Sequence, residues 1–289
     1  MIFITGINSF VGQVLEKSLI KKKIKYLGID LNINNNHNKT ILDIRDKKLV
    51  NIIPENSTII HLAAISTDKD CNNNKILAFD ANVNGTINLL ESAKIKKAKK
   101  IIFASTEWVY GNKIKKGENK ESDNIILNNI DSVYALTKII GEKILFNYST
   151  LFKLIILRFG IIYGPRKQNW SAFESIFNNC INSNNVEIIS KKTSRRYVHV
   201  QDIVDGILLS IKYSSSGTFN LTGEEDITLE KLIKNSSKLL KKNINILEKK
   251  SNNFSIRKPS NLLAKNLLKW KPNKNLNQGL IELKKFFCN

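Results

Sequence analysis

Cysteine is scarce: Cys71, Cys180 and Cys288 are the only three in 289 residues. They are far apart and odd in number. That excludes a disulfide framework or a Cys-x-x-Cys metal pair, and makes a reducing cytoplasm the expected setting. No run approaches roughly 18 apolar residues, so no membrane-spanning helix is expected. The first strand-like run starts at Met1, so no signal peptide is expected. No long repeat and no Pro/Gly/Ser-rich linker divides the chain. Arginine is also scarce, at six of 46 basic residues. The net charge of +21 therefore comes from lysines scattered among asparagines and isoleucines, as A/T-rich codons would produce. It reads as a solvated surface, and no specific nucleic-acid partner is expected.

Hydrophobic residues make up 42% of the chain, enough to build a core. Strand-like runs at 2–5, 25–30, 40–42, 58–62, 100–104 and 153–159 are interspersed with helical patterns at 11–19, 78–95 and 132–148. Strands separated by helices imply right-handed βαβ units and a parallel sheet. The asparagine-rich pieces 32–38 and 72–74 read as loops. Beyond about residue 165 the pattern turns irregular, with helices at 172–182, 200–212 and 229–240 and isolated strands at 186–189 and 218–220. The expected fold class is α/β. A Rossmann-type, doubly wound parallel sheet over 1–165 is followed by a smaller mixed α/β substrate lobe over 166–289, some of whose segments return to the sheet.

Between the first strand and first helix, Thr5-Gly6-Ile7-Asn8-Ser9-Phe10-Val11-Gly12 forms a phosphate-loop candidate. Gly6 permits the turn, and Gly12 lets the helix pack closely. Ser9 replaces the middle glycine of a G-x-x-G-x-x-G spacing. The N–H groups of Ser9, Phe10 and Val11 at the helix N-terminus suit a pyrophosphate. Asp30 ends the second strand, where a carboxylate accepts both ribose hydroxyls and repels a 2′-phosphate, favouring NAD over NADP. Asp43-Ile44 follows the third strand, where an acceptor meets the adenine amine. After His61, the small residues of Leu62-Ala63-Ala64 let a cofactor lie against the backbone; His61 itself reads as a packed strand residue.

Tyr134 and Lys138 are four apart and share a helix face. An ammonium beside a phenol lowers a pKa that starts near 10 and makes a base usable at neutral pH. Ser105-Thr106-Glu107-Trp108-Val109-Tyr110-Gly111 leaves the preceding strand at its C-terminal end, where ligands bind in open α/β sheets.

In order, these motifs resemble the extended short-chain dehydrogenase/reductases of the NAD-dependent epimerase/dehydratase family, many of which act on nucleotide sugars. Asn82-Val83-Asn84-Gly85-Thr86, Arg158…Tyr163-Gly164-Pro165, Arg195…Val198-His199-Val200-Gln201-Asp202 and Trp270-Lys271-Pro272 extend the match nearly end to end. The resemblance implies Thr106, Tyr134 and Lys138 as catalytic residues, with Lys138 also holding the nicotinamide ribose. It places Asn82 among the cofactor-binding residues. It implies Glu107, Trp108, Arg195 and Arg257 around a nucleotide-diphosphate sugar, the two arginines on its phosphates. It further implies a homodimer through the helix carrying Tyr134 and Lys138, which is apolar on more than one face.

The sequence also departs from the family pattern. Ile161 stands where galactose epimerases usually carry an asparagine. Where dehydratases carry an Asp-Glu pair this chain reads Glu107-Trp108, and loss of the second acid argues against 4,6-dehydration. Arg196 occupies a position that is often acidic. The expected activity is nucleotide-sugar epimerisation through a transient keto-sugar. A dehydratase or 4-ketosugar reductase is the alternative within the family, and a non-catalytic dinucleotide- or RNA-binding protein the alternative outside it. An intact Thr106, Tyr134 and Lys138 set favours the enzyme.

Overall fold

Ile2–Thr5 (β1) is a short, wholly buried strand, and buried β-branched and aromatic side chains favour that state. It pairs in parallel with Tyr26–Asp30 (β2) on one side and Thr58–His61 (β4) on the other. Lys39–Ile41 (β3) adds in parallel to β2, and Lys100–Thr106 (β5) to β4. Lys153–Phe159 (β6) and Gly217–Leu221 (β7) complete a seven-stranded sheet of order β7-β6-β5-β4-β1-β2-β3. The order reverses between β1 and β4, the switch point at which open α/β sheets bind ligands. The main helices are Phe10–Lys21 (α1), Gly85–Ile95 (α2), Val133–Phe146 (α3) and Val200–Lys212 (α4).

This computed structural model describes residues 1–32, 37–111 and 117–288. The chain forms two compact units. The first takes Met1–Gly111, Ile125–Arg158 and Val204–Phe219; the second takes Asn112–Asn124, Phe159–Ile203 and Asn220–Asn289. Phe3, Ile59, Ile101, Phe103, Leu145 and Ile156 anchor a core cluster in the first. Tyr163, Phe173, Phe177, Leu232 and Leu280 anchor one in the second. Among the described residues no helix is long and apolar enough to cross a membrane.

Three local readings need correction. Asn72 and Asn73 are not loop: they close a helix, Asp68–Asn73, whose N-terminus is capped by the Thr67 side chain, and Asn74 caps the next helix through Leu77 N. Side-chain oxygens at helix starts outweigh the turn propensity of asparagine here. The helix expected over 78–95 is broken into Lys75–Phe79, a π-turn at Asp80–Asn84, and α2. Residues 218–220 belong not to an isolated strand but to β7, the edge of the main sheet. Of the expected 32–38 loop, residues 33–36 lie outside the described residues.

Candidate active site

The β1–α1 turn is built by close approach. Gly6 has φ +73°, and a Cβ there would sit 2.6 Å from Ala63 N. A Cβ on Gly12 would meet Gly6 O at 2.4 Å. A larger residue at position 6 would force the turn away from the segment after β4, and one at position 12 would force α1 away from the turn. Ser9 caps α1, its Oγ accepting from Gly12 N at 3.1 Å. No acidic residue lies in the first turn of α1, so the partial positive charge of its N-terminus is left for an anion.

Asp30 closes this loop from β2. Its Oδ2 accepts from Asn8 N at 2.9 Å and its Oδ1 from Asn32 N at 3.3 Å. A carboxylate has about four acceptor sites, so two remain for a diol. Asp43 is held by Arg45, which donates Nε to Oδ1 at 2.9 Å and Nη2 to Oδ2 at 2.6 Å. Those bonds hold the Asp43 carboxyl below its ordinary range. Arg45 also pairs with Asp80 at 2.6 Å, and Ile44 is buried in the core.

His61 is a packed strand residue. Its ring nitrogens lie 2.8 Å from Thr5 Oγ1 and 2.9 Å from Thr86 Oγ1, and burial brings its pKa down to about 3. Leu62, Ala63 and Ala64 follow β4, with Leu62 and Ala63 beside Gly6. The Asn82 side chain is fully committed: Oδ1 accepts from Ile65 N at 2.8 Å, and Nδ2 donates to Ile65 O and Thr137 Oγ1, both at 3.0 Å. From its π-turn it ties the segment after β4 to α3.

Thr106 ends β5 and caps the 3-10 turn Glu107–Tyr110, its Oγ1 accepting from Trp108 N at 3.3 Å. Glu107 is buried and Trp108 half-buried. On α3, Tyr134 and Lys138 lie one turn apart, the Lys138 ammonium 5.9 Å from the Tyr134 ring centroid and 4.8 Å from that of Phe103. Burial draws the Lys138 pKa down to about 8, the neighbouring Cys71 and Glu142 opposing the fall. Burial pushes the Tyr134 phenol above its ordinary range, and Cys71 adds to the rise. The expected lowering of Tyr134 by Lys138 alone is therefore not found, because burial disfavours charge on both groups.

Arg195 and Arg257 lie in the second unit and meet at Ser194. Arg257 N donates to Ser194 O at 3.3 Å. Arg195 Nη1 donates to Ser194 O and Ser255 O, both at 2.7 Å. Arg257 is buried. Arg196 pairs instead with Glu118 at 2.7 Å and Asp226 at 2.8 Å.

A family model described as NAD dependent epimerase/dehydratase matches residues 2–222. The chain belongs to that family. A putative UDP-glucose 4-epimerase of Methanocaldococcus jannaschii is 30% identical over 243 residues, 78% of each chain. A UDP-glucuronate 4-epimerase of Thermodesulfobacterium geofontis is 26% identical, with 96% of this chain and 93% of that one covered. The fold matches the crystal structure of UDP-glucose 4-epimerase from Thermotoga maritima with UDP-glucose at TM-score 0.87, with 24% identity and 99% and 98% of the two chains covered.

Within this family member, sequence reasoning missed one group beside the candidate site. Glu142, one turn beyond Lys138, is buried and takes a bidentate ion pair from Arg158 on β6, at 3.0 Å (Nε–Oε1) and 2.7 Å (Nη2–Oε2). Ser105 Oγ donates to Glu142 Oε1 at 2.5 Å, and Arg158 Nη1 to the Tyr110 hydroxyl at 3.1 Å. One ion pair thus joins the strand end carrying Thr106, the helix carrying Lys138 and the turn carrying Trp108. The signal was an acid in the otherwise apolar stretch Ile139-Ile140-Gly141-Glu142, in helical register with Tyr134 and Lys138.

Proposed function

We propose that this chain is a nucleotide-sugar epimerase that works through a transient keto-sugar. The single observation that carries the reading is the pairing of Tyr134 with a buried Lys138 ammonium on α3, in the unit where Thr106 ends β5. The fit to NAD rests on the cradle. Gly6, Ser9, Phe10, Val11 and Gly12 present a tight turn and a helix N-terminus to a pyrophosphate. Asp30 takes the adenosine ribose hydroxyls. Asp43 and Ile44 take the adenine edge, and Leu62, Ala63 and Ala64 lie along the cofactor. Asn82 serves that cradle by holding the segment at Ile65 in place.

NAD bound there supplies a hydride acceptor that later returns the hydride, and a positively charged ring. Tyr134 takes the proton from the sugar hydroxyl and gives it back when the ketone is reduced. The Thr106 hydroxyl donates to that same oxygen as it gains charge. Lys138 holds the nicotinamide ribose and, by its charge, offsets the burial that opposes a Tyr134 phenolate. Arg195 and Arg257 take the substrate diphosphate through their planar forks. Trp108, in place of a second acid, walls the sugar and favours epimerisation over dehydration. A homodimer through α3 accounts for the half-buried Val133, Leu136 and Ile140 on its outer side.

The test is a panel of UDP-, dTDP-, GDP- and CDP-sugars followed by NMR, with Tyr134→Phe as the variant. Turnover of the accepted sugar should fall roughly 10²- to 10⁴-fold while bound NAD per chain stays unchanged. Near-full epimerisation by Tyr134→Phe, or no product from any sugar, overturns the reading.

A further inference from the structure

The opposite end of the same sheet holds a cavity of about 730 Å³. Its floor includes Thr58, Lys100 and Lys153, the first residues of three adjacent strands, β4, β5 and β6. Its walls are the connections at 97–99, 149–152 and 212–216. Thr106 ends the strand that Lys100 begins, which puts this cavity about 20 Å from the catalytic candidates along β5.

Among the described residues five lysines line it, Lys97, Lys99, Lys100, Lys153 and Lys212, and no aspartate or glutamate does. Among the described residues none of the five has a carboxylate within 4.0 Å, although lysines elsewhere, such as Lys39, Lys231 and Lys234, are paired. Lys100 is buried, and its three N–H groups are spent on the carbonyls of Ser210 (3.2 Å), Ile211 (2.6 Å) and Tyr213 (2.6 Å). It thereby caps the C-terminus of α4 and answers that helix dipole by itself. Lys97, Lys99, Lys153 and Lys212 are exposed and surplus to that task. Burial, and then the charge of Lys153, hold the Lys100 pKa below its ordinary value. Like charges gathered without an acid repel one another, and a multivalent anion relieves that repulsion.

We propose that this cavity binds a small polyphosphate group. Lysine recognises phosphate as a point charge, and the hydroxyls of Ser149, Thr150 and Ser214 add donors around it. The volume falls within the roughly 300–1,000 Å³ of small-molecule sites. A concave cluster on three strand starts suits a compact ligand better than the extended groove, interleaved with aromatic side chains, that single-stranded nucleic acid uses. The proposal stands independently of the epimerase reading.

The experiment is calorimetric titration of the NAD-saturated protein with sodium tripolyphosphate at about 0.1 M salt, comparing the native chain with Lys99→Glu/Lys153→Glu. The native protein should bind one tripolyphosphate. The variant should bind about tenfold more weakly, the combined effect of reversing two exposed charges. NAD content and melting temperature should match the native values; if the charge reversal misfolds, Lys99→Gln/Lys153→Gln replaces it with a smaller expected loss. An ATP arm identifies the source: ATP binding tenfold tighter than tripolyphosphate marks a nucleotide site, and equal binding a site for free polyphosphate. No binding to the native protein up to about 1 mM, equal binding by native and variant, or tighter binding of a single-stranded RNA that the variant also loses would each overturn the proposal.

Discussion

Replacing Arg158 by methionine should reveal how much rests on one buried ion pair. The side chains of Arg158 and Glu142 are 6% and 3% exposed, and their closest approach is 2.7 Å. Methionine fills much of the volume but leaves the Glu142 carboxylate buried with only Ser105 as a donor among the bonds described above. Breaking such a pair from one side typically costs about 3–5 kcal/mol, mostly from the charge left behind. At about 2–4 °C per kcal/mol for a chain approaching this size, the melting temperature should fall by about 10 °C. The double variant Arg158→Met/Glu142→Leu removes both charges and should regain most of that loss. It should still turn over sugar more slowly, with kcat reduced more than KM is raised, because Thr106 and Lys138 lose their common brace. Thermal melts of the native chain, both single variants and the double variant close the cycle. A cost below about 1 kcal/mol for Arg158→Met, or a double variant no more stable than the single, would refute the reasoning.

Lys138→Met should abolish turnover yet raise stability near neutral pH. Holding the buried ammonium at a pKa of about 8 instead of the ordinary 10.5 costs the fold about 3 kcal/mol. That penalty is fully present below about pH 8 and is relieved as pH rises towards 10.5, where the unfolded chain still binds the proton. The stability gap between variant and native should therefore close over that window in denaturant titrations; a gap that widens with pH sinks the argument. Asp30→Ala should narrow the preference for NAD over NADP measured as a ratio of dissociation constants, and an unchanged ratio would remove Asp30 from the ribose site.

Local chemistry made part of the candidate site readable. Gly6 and Gly12 are short-range features of a strand-turn-helix unit, which is where the structure has them, and the Tyr134–Lys138 spacing is a short-range feature of α3. The strand alternation likewise announced the parallel sheet through β6. What escaped depended on distant partners. Glu142 finds Arg158 and Ser105 only once α3 lies on the sheet. The π-turn at Asp80–Asn84 arises where Asn82 reaches both Ile65 and Thr137, and no periodicity records that. The upward shift of Tyr134 was missed for a related reason: a phenol next to a lysine in sequence looks activated, but burial and Cys71 are properties of the folded interior.

The first unit does not finish where its β1–α1 turn and α3 finish. Its sheet waits for β7, which is made about 60 residues after β6. At typical synthesis rates of about 5–20 residues per second, that interval is about 3–12 s. Throughout it, the nascent chain carries β6, with its run Leu154-Ile155-Ile156-Leu157, as a sheet edge without its outer neighbour, the kind of edge on which other chains pair. Ribosomes that pause between β6 and β7 will lose more of this protein to aggregation than ribosomes that pause once β7 has cleared the exit tunnel.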